Sequence, residues 1–118
     1  RWGKTEFLPY VGIIVKKVKI TVLKKEFYQE LAEEYLTEGA QVGPCALLNE
    51  GDTFLFEGNA QMPEGFCPWA WIDIYQSVNA ISSGSTFTPW NRSDGQTIVC
   101  CTDGIRPVVF KVEAVGGE

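Results

Sequence analysis

The sequence predicts an α+β fold in which a small, mainly antiparallel sheet has two helices packed on one face. Short apolar runs with strand-like patterns alternate with two segments that have helical spacing of apolar side chains. With 118 residues, of which 45% are hydrophobic, the chain is long enough to bury a core without disulfide staples. We therefore expect one folded domain rather than a disordered or disulfide-stapled chain.

The first strand and the first helix follow each other in the N-terminal third of the chain. Over 16–23 every second residue is apolar, which predicts a strand with one buried face. The segment KEFYQELAEEYLTEG then places Phe27, Leu31 and Tyr35 four residues apart. This spacing predicts a helix of about two to three turns with these side chains on one face, and Gly39 supplies its C-terminal stop.

A second strand and a second helix are expected in the middle of the chain. Residues Thr53 to Glu57 form a short apolar run between turn-forming Gly-Asp and Gly-Asn pairs, which predicts a strand between loops. Pro68 opens the segment PWAWIDIYQSVNAIS, and proline is favoured at the first position of a helix. The apolar stripe of this segment predicts a helix that ends at Ser83 and Gly84.

The last two strands are expected to form a hairpin that includes two adjacent cysteines. Apolar runs over 97–101 and 105–113 flank Thr102-Asp103-Gly104, which predicts a three-residue connection. Successive side chains of a strand point to opposite faces. One of Cys100 and Cys101 should therefore face the core and the other the solvent, unless a bulge brings them together.

Charge and hydropathy exclude two classes of partner. The formal net charge of −5 has the wrong sign for a phosphate backbone, so we expect no nucleic acid partner. No apolar run approaches the length of a membrane-spanning helix, and no secretory signal is recognisable, which favours a cytoplasmic protein with no membrane association.

The chain is expected to divide into three parts. Residues 1–15 are expected to be an N-terminal extension, either a tag or upstream sequence. Residues 16–113 are expected to form the single domain, and residues 114–118 are expected to be a flexible tail.

The four cysteines, Cys45, Cys67, Cys100 and Cys101, are the candidate chemical groups of this histidine-free chain. Four thiolates suit a closed zinc site or an iron–sulfur cluster. The paired C-x2-C spacing of zinc ribbons and ferredoxins is absent, but each cysteine is expected in a loop or beside a turn. The leading hypothesis is a small metal- or iron–sulfur-binding module without catalysis of its own, in which Cys45, Cys67 and one or both of Cys100 and Cys101 are the ligands.

Further residues are candidates for the surroundings of such a site. Asp103 and Arg106 flank the predicted hairpin, where Arg106 could pair with a carboxylate or hold an anion. The simpler interpretation makes Asp103 a turn residue and Arg106 a surface strand residue. Aromatic side chains near the cysteines could exclude water from a cluster; they are Phe66, Trp69, Trp71 and Trp90.

Two other functions remain open. The cysteines could be buried structural residues of a small interaction domain that docks a protein partner or a second copy of the chain. Alternatively, the protein could be a thiol redox protein centred on Cys67, because the N-terminus of the predicted second helix would stabilise its thiolate. The lack of histidine leaves such a thiol without the usual imidazole base, which favours a protein that is not an enzyme.

The motif CCTDGIRPVVF, together with the segments KKVKITVLKKEFYQELAEEY, GPCALLNEGDTF and PEGFCPWAWIDIY, resembles an uncharacterised family of small cysteine-containing bacterial and archaeal proteins. The resemblance covers about Lys16 to Glu113 and includes the family's CCxDGxRPVxF motif. It implies that the four cysteines occupy motif positions, but it implies no activity, because none is assigned to the family. Some relatives carry a further cysteine near Leu36, which implies that the number of cysteine ligands in the family is not fixed at four.

Overall fold

A four-stranded antiparallel sheet covered by a helix forms the described part of the chain, which comprises residues 15–37 and 39–115 of a computed structural model. The elements are, in order, β1 (Lys17–Lys25), α1 (Gln29–Tyr35), a 3-10 turn (Gly39–Gln41), β2 (Thr53–Phe56), α2 (Pro68–Ser82), β3 (Gln96–Cys100) and β4 (Val108–Val115). The α+β class is confirmed. The expected N-terminal extension lies, except for Val15, outside the described residues, as do residues 116–118.

The strands are arranged in the order β2-β1-β4-β3, and every neighbouring pair is antiparallel. Alternate residues of β1 and β4 are buried, so the strand with one buried face that was predicted over 16–23 is confirmed. Ala114 and Val115 pair with Val18 and Lys17. The last strand therefore continues two residues into the segment that was expected to be a flexible tail, because β1 is long enough to pair with it.

Helix α2 covers the buried face of the sheet and contacts β1, β3 and β4. It begins at Pro68 as predicted, and its inward face buries Ile74, Val78 and Ile81. Its last residue, Ser82, is tied to the start of β1. The Ser82 hydroxyl donates to the Lys16 carbonyl (2.6 Å), and the Lys16 N–H donates to the Ser82 carbonyl (3.0 Å). No helix among the described residues is long and apolar enough to cross a membrane.

The helix predicted after β1 is present as α1, but its apolar side chains do not form a buried stripe. Leu31 and Tyr35 are 38% and 70% exposed, and Ala32 is the buried residue of this helix. Tyr28, the residue before the helix, donates its N–H to the carbonyl of Ile105 in the β3–β4 connection (2.9 Å). This bond places the start of α1 beside that connection. Among the other elements, α1 mainly contacts the 3-10 turn.

The prediction of a three-residue connection between the last two strands is also wrong, because the observed connection is longer. Strand β3 ends at Cys100, and β4 begins only at Val108. The Asp103 carboxylate accepts hydrogen bonds from the N–H groups of Ile105 and Arg106, and Pro107 has no N–H group to donate. Because these N–H groups are engaged locally or missing, the chain cannot join the β3–β4 ladder before Val108.

Candidate functional site

A cavity of about 530 Å³ lies where the loop before β2, the N-terminus of α2 and the β3–β4 connection meet. Its volume falls within the range of about 300–1,000 Å³ that is usual for small-molecule and cofactor sites. The residues that line it are Cys45, Leu47, Cys67, Pro68, Trp69, Ala70, Asp73, Cys101, Thr102, Asp103, Arg106 and Val108.

Three of the four cysteines line this cavity, each from a different segment. Cys45 belongs to the irregular loop before β2, Cys67 immediately precedes α2, and Cys101 immediately follows β3. All three are partly buried, pack against the hydrophobic core and carry free thiols. The fourth cysteine, Cys100, is exposed and is not part of the cavity wall. The structure therefore brings together three of the predicted site cysteines and leaves one outside.

Cys67 occupies the N-cap position of α2. Its backbone is extended (φ −74°, ψ 122°), and no hydrogen bond joins its side chain to the first turn of the helix. The Cys67 carbonyl accepts a hydrogen bond from the Trp71 N–H (2.9 Å), which starts the helical ladder. The first turn contains no charged side chain that would neutralise the positive end of the helix dipole. That end of α2 therefore presents the partial positive charge of the helix dipole beside the cavity.

Cys100 and Cys101 have different environments, as the alternation of strand side chains predicts. The Cys101 sulfur accepts a hydrogen bond from the Val108 N–H (3.4 Å), whereas the Cys100 thiol donates to the Cys101 carbonyl (3.0 Å). Partial burial raises the pKa of the Cys100 thiol, and the neighbouring Cys101 and Asp73 raise it further. Cys100 is therefore a poorer source of thiolate than an ordinary cysteine.

Asp73 is a cavity residue that the sequence analysis missed. One carboxylate oxygen of Asp73 accepts a hydrogen bond from the Thr102 N–H (2.8 Å), which connects α2 to the β3–β4 connection. The available signal was a single acidic residue inside the apolar segment PWAWIDIY. Helical spacing places Asp73 about one turn beyond Trp69, which also lines the cavity.

Asp103 and Arg106 form a structured part of the cavity wall. The Asp103 carboxylate accepts bonds from the Ile105 N–H (2.9 Å), the Arg106 N–H (3.0 Å) and the Arg106 Nε (3.0 Å). Burial alone would raise the pKa of Asp103, but the hydrogen bonds and the guanidinium charge outweigh it and lower the pKa. Asp103 is thus a turn residue, as the simpler interpretation predicts, and Arg106 lies in the connection rather than in a strand.

The aromatic residues expected around the cysteines are separated by the structure. Trp69 lies at the cavity and is 78% exposed, whereas Trp90 is 91% exposed and is not in the cavity wall. Phe66 is buried, and Trp71 packs against it with a distance of 6.0 Å between ring centroids. Trp71 also packs against Tyr75 (5.3 Å). Phe66 and Trp71 therefore belong to the core between α2 and the sheet, and Trp69 alone of the four lines the cavity.

No group of three or more Cys, Asp or Glu residues in the described segments is arranged to hold a single metal ion. The lining carries two carboxylates, Asp73 and Asp103, and one guanidinium, Arg106. Arg106 pairs with Asp103, so the lining carries one net negative charge, that of Asp73, before any thiol ionises.

Neither a scan against protein-family models nor searches of curated proteins and of solved structures found a match for this chain. The fold and the cavity define the chain as a small α+β domain with a cysteine-lined cavity. The family resemblance of the CCTDGIRPVVF motif stays a prediction.

Proposed function

We propose that this protein is a small cysteine-ligated metal- or iron–sulfur-binding module without catalysis of its own, and that Cys45, Cys67 and Cys101 are its ligands. One observation carries the proposal: three thiols from three separate segments line one cavity. Thiolates are soft ligands that select zinc, copper(I) and iron–sulfur clusters. The carboxylate of Asp73, which also lines the cavity, adds a general attraction for metal cations.

An iron–sulfur cluster fits the cavity better than a single zinc ion. A structural zinc site holds all of its thiolates at about 2.3 Å from one ion, and the described positions of the cysteines do not provide such a site. In a [4Fe–4S] cluster each cysteine binds a different iron atom, so the thiolates are spread around a larger object than a single ion. A cavity of about 530 Å³ walled by Cys45, Cys67 and Cys101 supports that arrangement.

The surroundings of the thiols also suit a bound metal centre. Ala70 and Val108 contribute apolar wall, and both are nearly inaccessible to solvent. An apolar wall limits the access of water and oxidants to a metal centre. We also propose a cytoplasmic location, because four free thiols persist best where glutathione and thioredoxin keep cysteines reduced.

The test is metal and sulfide analysis of protein purified without oxygen, together with its visible absorption spectrum. Iron and acid-labile sulfide with visible absorbance identify a cluster, and colourless protein with about one zinc per chain identifies a structural zinc site. Serine variants of Cys45, Cys67 and Cys101 should each lose most of the bound metal. Cys100→Ser is the matched control, because Cys100 neighbours the cavity without lining it, and this variant should keep its metal.

Two results would overturn this proposal. The first is wild-type protein that contains neither metal nor sulfide and takes up neither when iron and sulfide, or zinc, are supplied under reducing conditions. The second is a Cys100→Ser variant that loses as much metal as the Cys67→Ser variant while both retain native circular dichroism.

A thiol redox function centred on Cys67 is the second candidate. The observation that favours it is the position of Cys67 at the positive end of α2 and at the cavity wall. It predicts that metal-free protein reacts with hydrogen peroxide at Cys67 faster than at Cys45, which lines the same cavity but lies outside any helix. Mass spectrometry of the oxidised peptides measures both rates. Equal rates would remove this candidate.

A further inference from the structure

The outer edge of β3 presents unpaired backbone groups. The strand order places β3 at one edge of the sheet. The Ala114 N–H donates to the Gly95 carbonyl (2.8 Å), and the Cys101 N–H donates to the Val108 carbonyl (3.1 Å), so Gly95 and Cys101 direct backbone groups towards β4. Backbone groups alternate in direction along a strand. The backbone groups of residues 97 and 99 therefore also point towards β4. The N–H and carbonyl groups of residues 96, 98 and 100 point away from the sheet.

These outward groups have no backbone partner among the described residues. The side chain at the centre of the strand, Ile98, is 46% exposed. Its exposure and its position place it on the face of the sheet opposite α2, because Thr97 and Val99 on either side face the interior. The edge is therefore accessible both through its backbone and through its central side chain.

The β3 edge lacks the features that usually prevent edge-to-edge pairing. Proteins protect exposed edges with charged side chains, proline, bulges or very short strands. Strand β3 (Gln96–Cys100) contains no charged residue and no proline, and its register with β4 is continuous. The opposite edge differs, because β2 has four residues and is flanked by Asp52 and Glu57. The chain as a whole carries a net charge of −5, so two copies repel each other over most of their surface. Strand β3 carries no charge, so two copies can pair along this strand without placing like charges opposite each other.

We propose that two copies of this chain pair antiparallel through β3 and form one continuous eight-stranded sheet. Antiparallel pairing of a strand with its own copy is symmetric about a two-fold axis. With Ile98 opposite Ile98 of the second copy, Gln96 lies opposite Cys100, and all outward N–H and carbonyl groups find partners in about six hydrogen bonds. The same register places the two exposed Ile98 side chains beside each other across the axis. The proposal rests on the edge of the sheet and is independent of the metal proposal.

The test is sedimentation of the wild-type protein over a wide range of concentrations, compared with the variants Ile98→Lys and Leu55→Lys. Ile98→Lys should weaken the dimer at least tenfold, because it places two positive charges side by side at the axis. Leu55→Lys is the matched control. Leu55 is 41% exposed and its partner in β1 is Lys19, but it lies on the β2 edge, so this variant should dimerise like the wild type.

Amide hydrogen exchange of the wild-type protein provides a second readout that needs no variant. The N–H groups of Ile98 and Cys100 should be protected at high protein concentration and should exchange rapidly after dilution. Three results would overturn the proposal: a wild-type monomer at every concentration, equal weakening by Ile98→Lys and Leu55→Lys, or rapid exchange of both amides at high concentration.

Discussion

Replacement of Asp103 by alanine should destabilise the protein by about 1–3 kcal/mol. The carboxylate accepts three hydrogen bonds, two from backbone N–H groups and one from the Arg106 guanidinium. A hydrogen bond to a charged group contributes about 1.5–3 kcal/mol when it is well shielded from water. The Asp103 side chain is 34% exposed, so we expect the three bonds together to contribute no more than one well-shielded bond.

Two related variants separate the contributions of these bonds. Asp103→Asn keeps an oxygen that can accept both backbone bonds, so we expect a loss of about 1 kcal/mol. Arg106→Ala removes only the partly exposed ion pair and should cost less than about 1 kcal/mol. Urea unfolding followed by circular dichroism measures all three free energies. The reasoning is refuted if Asp103→Ala is as stable as the wild type, or if Asp103→Asn costs as much as Asp103→Ala.

The same carboxylate has a predictable pH dependence. Its pKa is lowered in the folded protein, so its contribution is present above the ordinary pKa of an aspartate, about 3.9, and is lost as the pH falls through the lower folded value. The difference in free energy of unfolding between wild type and Asp103→Ala should therefore shrink as the solution is acidified. A difference that stays constant at acidic pH would contradict this assignment.

Three further predictions follow from single contacts. Ser82→Ala should cost about 1–3 kcal/mol, because it leaves a backbone carbonyl at the start of β1 without its donor, whereas Ser83→Ala, at an exposed neighbouring position, should cost less than about 0.5 kcal/mol in the same urea experiment. Trp71→Ala should cost more than about 2 kcal/mol because Trp71 packs into the core, and Trp69→Ala should change thermal stability little because Trp69 is 78% exposed. Similar losses for both tryptophans would contradict the packing described. In metal-free protein, the rate of Cys100 alkylation, followed by peptide mass spectrometry, should reach half its maximum at a higher pH than that of free cysteine, because the pKa of Cys100 is raised. A midpoint at or below that of free cysteine would contradict the environment assigned to this thiol.

The elements that were predictable are those whose pattern is local. Alternation over 16–23 identifies β1, and Pro68 with the apolar stripe behind it identifies α2. The exposure of Leu31 and Tyr35 on α1 was not predictable from helical spacing, because it depends on how the helix lies against distant parts of the chain, such as Ile105, to which the residue before the helix is bonded. The length of the β3–β4 connection depends on the Asp103 carboxylate, whose bonds compete with strand pairing in a way that turn composition alone does not show.

The candidate site was predictable in its residue types but not in its grouping. Strand alternation separates Cys100 from Cys101 correctly. The meeting of Cys45, Cys67 and Cys101 at one cavity could not be deduced, because it depends on how the loop before β2 packs against α2 and the sheet. Asp73 was missed because a single acid on a helix is usually a solvent-facing residue.

The three thiols of the cavity belong to segments that lie tens of residues apart in the sequence. Because of this separation, the free energy of unfolding should report whether a ligand is bound in the cavity. A ligand held by all three would act as a reversible crosslink that only the folded chain can form. At about one hundred times its dissociation constant, such a ligand raises the free energy of unfolding by about 2.7 kcal/mol. The loop of Cys45 lies between the 3-10 turn and β2 and has no strand or helix of its own, so the crosslink would restrain this loop most. Removal of the ligand would then release this loop first and lower the melting temperature of the whole domain.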